Sequence, residues 1–414
     1  MKQKQTTSKI KKWCINFKEI IVNKRLLLIF ILIIASICGL WVWTFSKSNN
    51  TISIGGSASA DPIMQQLTNK YKQKTGQSFI YSSTGSGAGA RNVINETYSI
   101  GFISKSETDN SIPEEIRNNL VRKDSNGDGQ LFQQIEEGKV KKEETFEKIM
   151  NEKKSKDGKS QSYHFIDFAK DSIVFVYNIK GTGLTEQQEK DIAFNLGESR
   201  TVDSIASDAL KSVYSVNDQT KLVSWFDFYK AITGSTADNI SKNVKVTPYS
   251  TNSGSGTRSS FEHISGFKNN NTKIGTAVNQ YNSNGAIFTQ LDKSDGAFGF
   301  VSMEYAQQIK NHKNLRAVII KGNNKQWDIN EHPEDYEDYP LNRPFIALYK
   351  MTDDNNKNRQ ILEFMQWVSS SNEVISSYQH LGLVQRWKRN DNSNQNNSLI
   401  NENKKRIDLL KKLV

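Results

Sequence analysis

The stretch Tyr249 to Phe261, Y-S-T-N-S-G-S-G-T-R-S-S-F, decides how the rest of the chain is read. A Ser/Gly/Thr turn here opens directly into a helix. Gly254 and Gly256 let the backbone turn tightly and aim its amides at one spot, and Ser255 and Thr257 add hydroxyls to it. The helix that follows places Phe261 and Ile264 at helical spacing and brings the partial positive charge of its N-terminus to the same place. This is chemistry suited to an anion. Two further turns of the same composition, each leading into a helix, lie upstream: Ile54 to Asp61, I-G-G-S-A-S-A-D, and Ser83 to Arg91, S-T-G-S-G-A-G-A-R. Three such turns, none with a catalytic group beside it, predict a binding cleft lined by hydroxyls and amides.

Charge is distributed unevenly. Of the formal net charge of +11, residues 1 to 25 carry +7 and residues 386 to 414 carry +5, which leaves the middle at −1. The basic residues therefore belong to the ends, where they suit a membrane surface or a solvated tail, and no nucleic-acid partner is expected. Leu26 to Phe45, L-L-L-I-F-I-L-I-I-A-S-I-C-G-L-W-V-W-T-F, has no charged residue and follows Lys24 and Arg25. Twenty such residues rise about 30 Å as a helix, enough to span a bilayer. The positive-inside rule puts residues 1 to 25 in the cytoplasm and residues 46 to 414 outside. A cleaved leader, or a lipoprotein processed at Cys38, is the competing reading; Ile37 before that cysteine and the apolar run beyond it favour an uncleaved anchor. With only Cys14 and Cys38 in the chain, the exported part has no disulfide and depends on its core.

Along the exported part, short strands alternate with helices: Thr51 to Ile54, a helix begun by Pro62 and ended at Gly76, a strand Ser78 to Ser82, a helix Ala88 to Thr97, and a strand Ser99 to Ser104. Such alternation predicts an α/β fold with a mostly parallel sheet and a ligand outside the carboxyl ends of its strands. Ser172 to Tyr177 and Tyr339 to Tyr349 read as buried strands. The aromatic run Trp225 to Ile232 and the face Ile361, Phe364, Met365 and Val368 read as helices packed on a core.

These residues resemble the phosphate-binding substrate proteins of ABC importers, a PstS-like family of the periplasmic-binding-protein type, from about Thr51 to Val384. The resemblance rests on the order of the motifs: the Gly55 to Ser59 turn, Gly85-Ser86, Gly101 to Lys105, the strand Asp171 to Asn178, the S-G-T turn Ser255 to Thr257, Asp295 to Val301, and Y-P-L-N-R-P from Tyr339. It implies a two-lobe fold with hinge strands. Residues 51–106 and 339–385 would form lobe I, 107–170 a charged insertion, 171–338 lobe II with the hinge, and 386–414 a disordered basic tail, whose end K-K-R-I-D-L-L-K-K-L-V reads alternatively as a short amphipathic helix on the membrane. It further implies inorganic phosphate bound by Ala58, Ser59, Ser86 and Ser104 of one lobe and Ser255, Gly256 and Thr257 of the other, with delivery to separate ABC permease and ATPase chains. The receptor would be a monomer held at the cell membrane by residues 26–45, with no cofactor. Two departures stand out. Ser104 occupies the neighbourhood of an acidic residue that in the family accepts the ligand's proton, and Thr251 stands where many members have an Arg. Arg258, just after Thr257, is the substitute cation that the S-G-T-R order suggests, with a solvent-facing place on the helix's first turn as the alternative.

Other readings are weaker on the residues. D-S-N-G-D-G-Q-L from Asp124 begins like a calcium loop but has Ile135 at the twelfth place, so it reads as a polar turn. G-K-S at Gly158 lacks the upstream Gly of a P-loop, and no nucleophile elbow or H-E-x-x-H is present, so no enzyme is expected. A surface adhesin on the same fold, and a receptor for another oxyanion or an organic phosphate, remain as alternatives.

Overall fold

The computed structural model describes residues 29–37, 51–107, 109–120, 163–350, 352, 354–385, 407, 408 and 411. Residues 29–37 are helical with exposed side chains. Among the described residues no helix is long and apolar enough to cross a membrane. Most of the expected span, the calcium-like loop and the P-loop-like G-K-S lie outside them.

Lobe I is built around a sheet. Strand β1 (Thr51–Gly56) buries Ile52 and Ile54 and ends in two glycines, after which α1 (Asp61–Thr75) has Pro62 in its first turn and is capped by Gly76, whose φ of 78° suits a residue without a Cβ. Strand β2 (Ser78–Ser83), α2 (Ser86–Ile94), β3 (Ile100–Ile103) and the short α3 (Glu114–Asn119) follow. The helix α2 lies very close to the sheet: a Cβ on Gly89 would come within 2.8 Å of the Gly56 Cα. Glycine at both positions is what lets the helix start, Ser86, reach the end of the strands.

Strand β4 (Tyr163–Asn178) is 16 residues long and buried throughout. Its first part, Tyr163 to Ser172, pairs antiparallel with strand β12 (Asn342–Lys350) in lobe I, and Ile173 to Tyr177 pair antiparallel with strand β8 (Ala297–Ser302) in lobe II. One continuous strand therefore joins the lobes. This corrects the boundary expected at residue 170: residues 163–170 are a sheet strand and not part of a solvated insertion. Their apolar residues Phe165, Ile166, Phe168 and Ala169 are buried, and the Lys/Glu-rich composition upstream had hidden them.

Lobe II continues with α4 (Glu186–Asp191), β5 (Ala193–Asn195), α5 (Ser204–Tyr214), α6 (Trp225–Thr233), β6 (Thr247–Thr251), α7 (Gly256–Ile264), β7 (Asn279–Tyr281), α8 (Asn284–Lys293), β8 (Ala297–Ser302), α9 (Met303–Ala306), β9 (Leu315–Ala317), β10 (Ile319–Lys321) and β11 (Gln326–Trp327). The chain returns to lobe I through β12 (Asn342–Lys350), α10 (Asn355–Ser370), α11 (Ile375–His380) and β13 (Val384–Gln385). The large sheet runs β2-β1-β3-β12-β4-β8-β6-β7. It is parallel at β1–β3, β6–β7 and β6–β8 but antiparallel where β12 and β4 cross between lobes, so the mostly parallel sheet expected from the sequence holds within the lobes and not at the hinge.

Three apolar clusters fix this arrangement. Lobe II packs Phe175, Tyr214, Trp225, Phe261, Phe298 and Phe300 together, with the Phe261 and Phe300 rings stacked at 4.2 Å. In lobe I, Phe345 and Ala347 face one cluster, with Phe102 and Phe364, and Ile346 and Leu348 face the other, with Ile103 and Ile116. The C-terminal segment, expected to be a disordered tail, contributes a fully buried Ile407 to the first of these, and Gln366 on α10 hydrogen-bonds Asp408 and Lys411.

Candidate functional site

The three Ser/Gly turns of the sequence meet at the line between the lobes. Ser59, on the turn before α1, shares a hydrogen bond with Thr257 on the first turn of α7, Oγ to Oγ1 at 2.9 Å. Ser57 donates to Ser104 Oγ at 2.9 Å, Ser86 Oγ lies 3.3 Å from the same oxygen, and the Ser104 amide donates to Ser86 Oγ at 3.1 Å. Each of these four serines and Thr257 is buried. Gly256 closes the gap: a Cβ there would stand 2.0 Å from Ser104 Oγ and 2.7 Å from Ser86 Oγ, so only glycine lets α7 come this near. The Gly87 amide donates across the gap to the Gly254 carbonyl at 3.3 Å. The N-termini of α1, α2 and α7 thus converge from two lobes, and α8 adds a fourth through Asn284, whose Nδ2 donates to Ser59 at 2.9 Å and to Ser302 at 3.2 Å.

Of the residues singled out in the sequence, Ser59, Ser86, Ser104, Gly256 and Thr257 come together. Ala58 lies half-buried on the same turn as Ser59. Ser255 caps its own helix, accepting from the Thr257 amide at 3.2 Å. Arg258 does not enter the cluster. Its guanidinium donates to Glu262 at 2.9 Å and to Gln280 at 2.8 Å, because one residue beyond Thr257 the helix has turned its side chain outward. Thr251 is buried with its hydroxyl unpaired and supplies no charge.

The cation comes from another strand. Arg343 of β12 is 3% exposed and donates through Nη2 to Ser59 Oγ at 2.9 Å and through Nη1 to Thr257 Oγ1 at 3.1 Å, touching both lobes at once. Its Nε and Nη2 also donate to Asp171 Oδ2, and Asp171 Oδ1 accepts from the Met303 amide at 3.2 Å. Burial pushes the Asp171 carboxyl up against the opposing pull of Arg343, and lowers Arg343 against the pull of Asp171. Arg343 stays the charged partner because a guanidinium does not give up its proton in a protein. The pair is formally neutral, so the donors left to hold a ligand are mainly hydroxyls and amides. Nearby, burial and then the charges of Asp171 and Asp61 push the Glu304 carboxyl up to about 8.

Arg343, Asp171, Asn284 and Ser57 join the site beyond the residues expected from the sequence. A signal was present for two of them: Asp171 precedes the apolar run Ile173 to Tyr177 and Arg343 precedes the run Phe345 to Tyr349, and charges buried in strands come in pairs. Among the described residues no group of His, Cys, Asp and Glu is assembled to hold a metal ion.

Two α/β lobes joined by shared strands, with hydroxyls and helix N-termini facing each other across the junction, define the class of hinged two-lobe binding proteins. The chain belongs to the PBP superfamily: the model of the PBP superfamily domain matches residues 44–127 and 139–372. The resemblance to substrate-binding proteins read from the sequence holds in this assignment. Among solved structures, the chain is similar to a Clostridium perfringens protein assigned as a phosphate ABC transporter substrate-binding protein, solved with bound phosphate. The two share 19% identity over 81% of this chain and 99% of that one, with a TM-score of 0.50. It is also similar to an ABC-type phosphate transport receptor from Vibrio cholerae (18% identity, 81% and 99% covered, TM-score 0.47) and to PstS from Borrelia burgdorferi (16%, 81% and 98%, TM-score 0.40). At these identities the likeness is one of fold. No match is found among curated proteins.

Proposed function

We propose that this protein is an extracytoplasmic receptor that binds inorganic phosphate between its two lobes and delivers it to an ABC importer. The observation that carries this reading is Arg343, a buried cation that donates to a hydroxyl of each lobe. A hydroxyl both donates and accepts, so Ser59 and Thr257 can exchange their mutual bond for bonds to ligand oxygens. A tetrahedral oxyanion bridging Ser59, Ser86 and Ser104 on one side and Gly256 and Thr257 on the other gains its full set of donors only when the lobes close, which ties closure to binding. Ala58 and Ser255 would serve through backbone amides. Arg343 takes the role that the sequence had suggested for Arg258. No step of bond chemistry is required, in keeping with capture and release.

Residues 26–45 are proposed as a membrane anchor, with residues 46–414 outside the cytoplasm; the exposed apolar side chains over 29–37, among them Ile29, Phe30, Leu32 and Ile37, support it. The partners would be phosphate, the permease and its ATPase. Titration calorimetry of the chain with phosphate, sulfate and molybdate tests the ligand: heat with phosphate, lost in Arg343→Met, supports the reading. Heat with sulfate alone would replace it with a receptor for another oxyanion, and no heat with any oxyanion would favour a surface interaction protein.

A further inference from the structure

Beside the hydroxyl cluster the lobes border a half-open cleft of about 370 Å³ that reaches Arg343. That is roughly a dozen times the 30 Å³ or so that one water takes in the liquid, and so far more than one tetrahedral oxyanion fills. It lies in the size range of pockets for small organic ligands, about 300–1,000 Å³.

Its walls carry more basic than acidic groups. Lys105, Arg200 and Lys268 line it together with Arg343, whose charge Asp171 balances, and with the carboxylate of Asp109. Asp109 is already engaged across the lobes. It accepts from Lys268 Nζ at 2.9 Å and from Ser259 Oγ at 3.1 Å. Although burial opposes it, the bonds from Lys268 and Ser111 hold its carboxyl well below the usual range. Lys105 is different: it is only 4% exposed and its ammonium donates to a neutral hydroxyl, that of Ser111. Burial lowers its pKa, with the nearby Asp109 pulling the other way. The Ser111 hydroxyl in turn donates to Asp109, so among the described residues Lys105 reaches a carboxylate only through that hydroxyl and keeps room for a direct anionic partner. At the rim, Arg200 adopts a left-handed φ of 63°, uncommon for a side chain of its size, and reaches Asn342 of the hinge strand with Nη1 at 3.0 Å.

We infer that this cleft is a second anion subsite, continuous through Arg343 with the hydroxyl cluster, which takes the distal charged group of a ligand bearing two anionic groups, a diphosphate in the first instance. The inference rests on the reading of the hydroxyl cluster as a phosphate site. Inorganic phosphate then uses the cluster alone, and a diphosphate uses both.

The test is calorimetry on the full-length protein in detergent with inorganic phosphate and with pyrophosphate, for the wild type, Arg200→Asn and Lys105→Gln. Asparagine tolerates the left-handed backbone, so Arg200→Asn removes the charge without straining the fold. The expected result is that pyrophosphate binds at least as tightly as phosphate and that each variant weakens pyrophosphate about tenfold, or about 1.4 kcal/mol, with phosphate changed less than about twofold. Phosphate binding without pyrophosphate binding overturns the subsite and leaves the phosphate reading standing. So does an equal loss for both ligands, or pyrophosphate binding indifferent to both variants. Pyrophosphate binding without phosphate binding keeps the subsite and removes inorganic phosphate as the ligand; no binding of either removes both. Should Lys105→Gln fail to fold, Arg200→Asn alone decides, since Arg200 is exposed.

Discussion

Arg343 and Asp171 stand opposite each other in register on β12 and β4, and Arg343 places Nε and Nη2 at 2.9 and 2.7 Å from the same carboxylate oxygen. This pair lies where the strands pass from one lobe to the other, so it orients at the hinge the guanidinium that touches Ser59 and Thr257. The guanidinium is thus fixed by the strand pairing, and the Ser59 and Thr257 hydroxyls bond to it from the two lobes.

Removing one member leaves a buried charge without its partner. Arg343→Met is expected to lower stability by about 3–5 kcal/mol, read from the denaturant midpoint. The double variant Asp171→Asn with Arg343→Met should recover most of that stability while phosphate binding stays lost. Recovery of binding in the double variant would show that Arg343 is structural only.

Gly256→Ala tests closure separately from charge. A Cβ 2.0 Å from Ser104 Oγ cannot be accommodated with the lobes as they stand, and the clash is with groups of the opposite lobe. The variant should fold with near-normal stability, bind phosphate at least about tenfold more weakly, and keep an open radius of gyration in saturating phosphate by small-angle scattering. Ligand-induced compaction equal to that of the wild type would show that the lobes do not close on Gly256.

Glu304 predicts a pH signature. Its carboxyl is raised by burial and by the charges of Asp171 and Asp61 to about 8, above its ordinary 4.5, so the folded state holds a proton that the unfolded state loses first. The stability this group contributes is fully present below about 4.5 and declines as pH rises from there toward 8. Melting curves should show Glu304→Gln matching the wild type near pH 4 and exceeding it at pH 8.5 by on the order of 3 °C or more. Parallel pH profiles for the two proteins would remove Glu304 from the account.

Much of this was legible in the sequence because short-range chemistry wrote it. The turns at Ser59, Ser86 and Thr257 each needed glycine for the bend and a hydroxyl at the helix start, and those residues appear next to one another in the chain. What was not legible came from long-range pairing. Arg258 sat beside the S-G-T turn and looked like the cation, yet one helical step sends it to Glu262, while Arg343 reaches the same turn from a strand that only the fold brings near. The first half of β4 was hidden for a similar reason: its neighbours in sequence are Lys and Glu, and its neighbours in space are Phe345 and Ala347.

Hydroxyls from separate lobes are proposed to hold one oxyanion. Titration of the wild type and of Thr257→Val with phosphate addresses it most directly, since valine keeps the shape of threonine and removes the hydroxyl shared by Ser59 and Arg343. The account predicts saturable one-to-one binding by the wild type and a loss of about tenfold to a hundredfold in the variant, one or two charge-assisted hydrogen bonds' worth. Equal phosphate affinity in the two proteins would contradict it.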